Sequence, residues 1–253
     1  MKKTVKNLIT WSPSHLITSP KSAFTLAEVL ITLAIIGVVA AMTIPTLISN
    51  YKKQVVETKL SKFYTTMNQA IRLSEVDNGS ILTWKRLEVD EIVDSEGNQQ
   101  KITTNSLEWF NKYIAPYIKI AKVEEVENDR EGNILIYFLD GSLVSIGANS
   151  WLFYPDAKDY KSSIGTDGYV TRDTAISGSK YFTFHFNPHS SSRHHKGKGM
   201  EPYGVGCDLC TIKHFKTRAD IGCRKDATNE AAYCTKVIQL NNWKIPKDYP
   251  FEF

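Results

Sequence analysis

Residues 23–50 read AFTLAEVLITLAIIGVVAAMTIPTLISN, from Ala23 to Asn50. One acid, Glu28, stands near the start, and no further charge follows until Lys52. The run from Val29 to Ile48 is almost wholly apolar. As a helix rising about 1.5 Å per residue, it is long enough to cross a bilayer core about 30 Å thick. A carboxylate so close to the start of such a helix is costly to desolvate, which marks Glu28 as a candidate functional residue. Pro45 lacks an N–H and crowds the preceding turn, and Gly37 offers flexibility and a close-packing point. The sequence therefore predicts a helix weakened or kinked at Gly37 and Pro45.

The residues before this run are basic. Lys2, Lys3, Lys6 and Lys21 precede Phe24, and no acid does. Ser12-Pro13 and Ser19-Pro20 break regular structure there. An ordinary secretory peptide is cut after its apolar segment. Here the small-residue junction, Ala23–Phe24, lies before it, so a cut would remove the basic leader and leave the helix on the mature protein. The lysines place the N-terminus in the cytoplasm and the long remainder outside. They also account for the formal charge of +4. The basic balance therefore argues nothing about nucleic acid, which is not expected as a partner. A smaller asymmetry remains. Residues 75–131 hold 13 acids against 7 bases, and residues 180–225 hold 9 bases against 3 acids. That pattern predicts two solvated faces of opposite sign, or charge pairing between subunits.

Ala23-Phe24-Thr25-Leu26-Ala27-Glu28, followed by the apolar run with Gly37 and Pro45, resembles the N-terminal segment of type IV prepilins and type II secretion pseudopilins. The resemblance covers roughly Lys21–Lys53. It implies a cut by a prepilin peptidase between Ala23 and Phe24, followed by N-methylation of Phe24. It also implies that the Glu28 carboxylate neutralises the new α-amine of a neighbouring subunit. Opposite charges about 4 Å apart at an effective dielectric of about 20 attract by ~4 kcal/mol before desolvation, so such a pair sets register as well as affinity. The implied partners are the peptidase, other pilin or pseudopilin subunits, an inner-membrane assembly platform and the membrane. The implied location is the bacterial inner membrane, single-pass, with an extracytoplasmic head.

Beyond Asn50 the helical pattern continues. Val56, Leu60, Phe63, Met67, Ala70 and Ser74 recur every three or four residues and predict a buried stripe. Asp77-Asn78-Gly79 ends the pattern, giving a helix over Phe24–Val76. Residues 80–105 read as loop with short strands. Residues 106–117 read as a second helix. Ile134–Phe138 and Leu143–Ile146 flank Asp140-Gly141, a hairpin signal. Tyr181–Phe186 reads as a strand and Ala227–Leu240 as a short helix, before an aromatic- and proline-rich tail, NNWKIPKDYPFEF. The expected fold is α+β and pilin-like. Its long N-terminal helix, membrane-spanning in its first half, packs on a small antiparallel sheet, and its C-terminal region is loop-rich and contains the cysteines. The expected organisation is a leader over 1–23, an assembly helix over 24–50 and a head over 51–253.

Cys207, Cys210, Cys223 and Cys234 all follow the span. An even count in an oxidising compartment predicts two disulfides, with Cys207–Cys210 and Cys223–Cys234 the favoured pairing of the three possible. A structural zinc site is the alternative reading of the CxxC pair. His185, His189, His194, His195 and His214 lie among Ser, Gly and Lys and read as a polar loop rather than a metal site. Asp156, Asp159, Asp167 and Asp173 could supply oxygens to calcium but lack EF-hand spacing. No cofactor is expected. No nucleophile elbow, P-loop, dinucleotide fingerprint or HExxH occurs, so the chain is not expected to be an enzyme. The expected function is that of a structural, minor subunit of a type II secretion pseudopilus, working in protein export. A minor type IV pilus or DNA-uptake pilin is the first alternative. A membrane-anchored exported enzyme or binding protein is the second.

Overall fold

The computed structural model describes residues 24–253 except 94–98, 128, 130–132, 148–149, 167, 194 and 205–209, and of residues 89–103 it describes the backbone alone. The leader with Ala23 therefore lies outside the described residues, as do Asp167, His194 and Cys207. The chain divides into two units, Met1–Thr46 and Leu47–Phe253. Helix α1, Leu26–Asn78, belongs to both and is helical through Pro45. It begins two residues after the predicted start and ends two residues after the predicted end.

In the first unit, α1 is the one described helix long and apolar enough to cross a membrane, and none of its apolar window is buried. Leu30, Ile31, Leu33, Ile35, Ile36 and Val38 are all more than half exposed. A Cβ on Gly37 would meet nothing within 4 Å among the described residues.

In the second unit, α1 buries the predicted stripe, Val56, Leu60, Phe63, Met67, Ala70 and Ser74, together with Glu57 and Ile71. The helix ends where Gly79 takes a left-handed φ of 76°, a conformation that glycine adopts without a Cβ penalty. The stripe packs on a six-stranded sheet. Its strands are β3 (Ile120–Glu125), β4 (Ile134–Phe138), β5 (Leu143–Ile146), β6 (Trp151–Tyr154), β9 (Phe182–His185) and β10 (Glu201–Pro202). They run antiparallel in the order β10-β9-β6-β5-β4-β3. Phe63 fixes the helix on this sheet. It stacks on Phe153 at 4.3 Å and meets Phe184 and Phe138 edge-on at 5.0 and 5.9 Å.

The expected small sheet is thus corrected to a larger one, because both of its faces are covered. Ile134, Ile136, Val144, Ile146 and Phe153 face α1. Leu135, Leu143, Leu152 and Tyr154 point the other way, where Tyr160 and Ile176 cover them. Those covering residues belong to the excursion between β6 and β9, which carries the hairpin β7 (Ser162–Ile164) and β8 (Val170–Arg172). A separate hairpin joins β1 (Val89–Val93) to β2 (Gln99–Thr104).

The predicted second helix is α2, Ser106–Tyr113, followed by a 3-10 turn over Ala115–Tyr117. Its Trp109 and Tyr113 pack with Trp84, which stacks on Tyr113 at 4.5 Å. The C-terminal region adds α3 (Ile212–Thr217) and α4 (Cys234–Leu240). α4 is half as long as predicted, because residues 227–233 form turns instead. The tail returns across the fold and is tied to it by several bonds, among them an ion pair of Asp248 with Lys216 at 2.6 Å. Buried Glu57 accepts hydrogen bonds from Lys244 Nζ and Ile245 N, both at 2.8 Å. Tyr249 donates to the Gly178 carbonyl at 2.5 Å.

Candidate functional site

The first candidate site is the start of α1. Thr25 N and Thr25 Oγ1 both donate to Glu28 Oε2 at 2.8 Å, and Glu28 N donates back to Thr25 Oγ1 at 3.3 Å. This reciprocal arrangement is a capping box, with Thr25 before the first helical turn and Glu28 at its third residue. It satisfies two of the orphan N–H groups of the helix start and places a negative charge at the positive end of the helix dipole. The Thr-x-x-Glu spacing was present in the sequence but was not read as a cap. Phe24, directly before it, is 85% exposed.

The second candidate is the cysteine region. Cys223 and Cys234, eleven residues apart in the chain, form a disulfide. Cys210 is also disulfide-bonded. The region builds a small core of its own, in which Phe215, Cys223, Tyr233, Cys234 and Val237 are buried. Phe215 meets Tyr233 edge-on at 5.1 Å. The staple and this core hold a stretch with little regular structure.

The remaining polar candidates do not converge. Asp156 and Asp173 cap short 3-10 turns by accepting from Lys158 N and Ala175 N, and Asp159 pairs with Lys180 at 3.5 Å. His185 and His195 lie ring against ring at 4.4 Å, while His214 packs on Phe215 and Tyr233. Among the described residues, no three His, Cys, Asp or Glu side chains are placed to hold a metal ion. The acidic and basic stretches adjoin rather than oppose one another, at one cavity lined by Glu75 and Lys198 and at another. There Lys85, Arg86 and Leu87 line a cavity of about 210 Å³ with Asn187, Pro188 and His189.

A groove unseen in the sequence runs beside α1. Its volume is about 360 Å³, and Phe63, Phe138, Phe153 and Ile118 line it. Lys59, Lys62 and Lys119 stand around it with Asp140. Asp140 accepts from Lys62 Nζ at 2.8 Å and from Ser142 Oγ at 2.5 Å. Partial burial works to raise its pKa, but the bonds from Lys62 and Ser142 outweigh it and hold the carboxyl at about 2. Lys59 Nζ is tied down by the carbonyls of Asp140 and Pro155.

Comparison with known families gives two matches. Residues 46–253 match a family of unknown function, DUF6613. This chain belongs to that family. Residues 18–44 match the prokaryotic N-terminal methylation motif, which spans the Ala23–Phe24 junction, the capping box and most of the apolar run. The DUF6613 match begins at Thr46, where the second structural unit also begins to within one residue. No curated protein and no solved structure matches the chain.

Proposed function

We propose that this DUF6613 chain is a structural subunit, in a minor role, of a type II secretion pseudopilus. A prepilin peptidase cuts it between Ala23 and Phe24 and methylates the new N-terminus at Phe24. The observation that carries this reading is the methylation motif over residues 18–44, leading into a helix whose long apolar window is left unburied among the described residues. Such a helix needs lipid or the helices of neighbouring subunits around it. The bilayer supplies the first before assembly, and a filament supplies the second.

The leader's lysines hold the N-terminus in the cytoplasm, and the head stands outside. The Cys223–Cys234 disulfide suits an oxidising compartment. Within the filament, the Glu28 carboxylate receives the α-amine of a neighbouring subunit. The inner-membrane assembly platform and the other subunits are the partners. The chain is a substrate of the peptidase and catalyses nothing itself. The test is the intact mass and N-terminal sequence of the membrane-extracted protein, with and without prepilin peptidase. An N-terminus at methylated Phe24, seen only with the peptidase, is the expected result. An N-terminus at Met1, or a cut beyond Ile48, would refute the reading.

A further inference from the structure

We propose that the head binds a saccharide in a groove between α1 and the returning C-terminal tail. The occupant is a short, neutral stretch of oligosaccharide. It stacks on Trp243 and is hydrogen-bonded by hydroxyl and amide groups of α1 and the tail. The site does not depend on which machine the chain serves, and it adds a binding activity to the assembly role.

This groove has a volume of about 500 Å³ and adjoins the aromatic one, with which it shares Lys62 and Thr66. One wall is α1, where Thr58, Ser61 and Thr65 follow one another at helical spacings of three and four and so line one side of the helix. The other wall is the tail, with Asn242, Trp243 and Lys244. Trp243 is half-buried, and Tyr64 supports it from outside the groove with the rings 5.0 Å apart. Asn242 and Trp243 are the two described non-glycine residues at positive φ, 55° and 59°. That backbone is costly for a residue with a Cβ, and glycine would adopt it freely. It persists because Trp243 N donates to the Ile238 carbonyl at 2.9 Å and Lys244 N to the Asn241 carbonyl at 3.0 Å. The strained turn thus presents two adjacent side chains to the groove.

The chemistry of the lining selects the ligand. Its charges are already compensated, since Lys62 Nζ pairs with Asp140 and Lys244 Nζ with Glu57, each at 2.8 Å. The second Glu57 oxygen is engaged too, by Ile245 N at 2.8 Å. The groups left over are uncharged. The hydroxyls of Ser61, Thr65 and Thr66, the Asn242 amide and the Trp243 indole N–H have no hydrogen-bond partner among the described residues. Together they offer both donors and acceptors. An ionic ligand would have to break one of the pairs, and an apolar ligand would leave these polar groups covered and unsatisfied. A pyranose meets both requirements. Its positively polarised C–H bonds meet the negative face of an indole ring, and its hydroxyls donate and accept around the rim. The volume of the groove lies within the range of small-molecule sites.

The test is calorimetric titration of the full chain in lipid discs, which keep sugar-headed detergents out of the groove. The probes are chitotetraose, maltotetraose and, as a charged control, tetragalacturonate. At least one neutral probe is expected to bind, and the choice between them distinguishes a β-linked glycan, such as a cell-wall strand, from an α-linked one. Trp243→Gly removes the stacking platform while suiting the backbone, and should weaken binding at least about tenfold. Asn242→Gly also suits the backbone. Its Tm should stay close to the parent's, yet binding should weaken about two- to tenfold. If Trp243→Gly loosens the tail, Asn242→Gly decides. No heat from either neutral probe up to about 10 mM would overturn the proposal. Binding of tetragalacturonate alone, or neutral binding unchanged in Asn242→Gly, would do the same. Loss of filament assembly in Trp243→Gly with no saccharide binding by the parent would give the groove to a neighbouring subunit, and would also overturn it.

Discussion

Replacing Glu57 by Ala should loosen the C-terminal tail far more than replacing its partner Lys244. The Glu57 side chain is 11% exposed, whereas that of Lys244 is 68% exposed. The carboxylate receives two bonds of unequal worth. The one from Ile245 N is charge-assisted and shielded, and removing it leaves a main-chain N–H without its acceptor, at about 1.5–3 kcal/mol. The bond from Lys244 joins a largely hydrated ammonium and adds only ~0–1 kcal/mol. Asn242 and Trp243 sit at φ 55° and 59°, but their turn is held by its own bonds, from Trp243 N to the Ile238 carbonyl at 2.9 Å and from Lys244 N to the Asn241 carbonyl at 3.0 Å, and does not depend on Glu57. The loss for Glu57→Ala is then about 1.5–4 kcal/mol, against under ~1 kcal/mol for Lys244→Ala. In a head of this size each kcal/mol lowers Tm by roughly 2–4 °C. The assay is thermal unfolding of the full chain in detergent, with amide exchange over residues 241–253 as the local readout. Equal Tm losses in the two variants, or unchanged exchange in Glu57→Ala, would refute the assignment of the tail's anchorage to the shielded carboxylate.

Replacing both Cys223 and Cys234 by Ser should cost about 3 kcal/mol, the value for a closed loop of roughly this length; urea unfolding of the double variant beside the oxidised parent measures it. The Asp140 pair should give a pH-dependent contribution. Its folded pKa, about 2, lies below the ordinary 3.8, so the stabilisation is full above pH 3.8 and is lost as pH falls toward 2. Lys62→Met should flatten the stability profile in that acid window while leaving its slope at neutral pH unchanged. Gly178→Ala should destabilise strongly, since φ is 76° and the new Cβ would stand 2.7 Å from Cys234 Sγ and 2.9 Å from the Phe251 ring; a Tm within about 1 °C of the parent would contradict that crowding.

The parts of the fold legible in the sequence were those with a single repeating period. The stripe from Val56 to Ser74 follows the helical period, and every position predicted for it is buried; Glu57 and Ile71, which lie beside it and are buried as well, were missed. The β4–β5 hairpin was read to its ends, because Asp140-Gly141 marks its turn and Gly141 takes the positive φ, 77°, that such a turn requires. What escaped was the strand whose two faces are both buried. Trp151–Tyr154 is apolar at every position, because Phe153 packs under α1 while Leu152 and Tyr154 lie under the β6–β9 excursion. A run of four such residues has no alternation to betray a strand. β3 escaped for the opposite reason. It is an edge strand with Lys122, Glu124 and Glu125 turned to solvent, which guards its open side and makes it read as a charged loop. The groove beside α1 could not be read at all, since it joins Phe63, Phe138 and Phe153 from three distant parts of the chain.

At the start of α1 the sequence showed the right residue with only part of its chemistry. Glu28 was read through its charge, as a partner for a neighbouring amine. Its bonds to Thr25 give it a second task inside its own chain, that of holding the first turn of the helix. Under the proposed processing the two tasks coincide in place, because cleavage creates the amine at Phe24, one residue before the capping threonine. They differ in what they require. A cap needs an oxygen acceptor, which glutamine also supplies, whereas pairing with an ammonium gains most from a full negative charge. Glu28→Gln should therefore keep the helix start, shown by amide protection at Glu28 in lipid discs, and lose filament assembly. Glu28→Ala should lose both. If Glu28→Gln assembled as the parent does, the residue would be a cap alone, and the register of the assembly would have to come from elsewhere in α1.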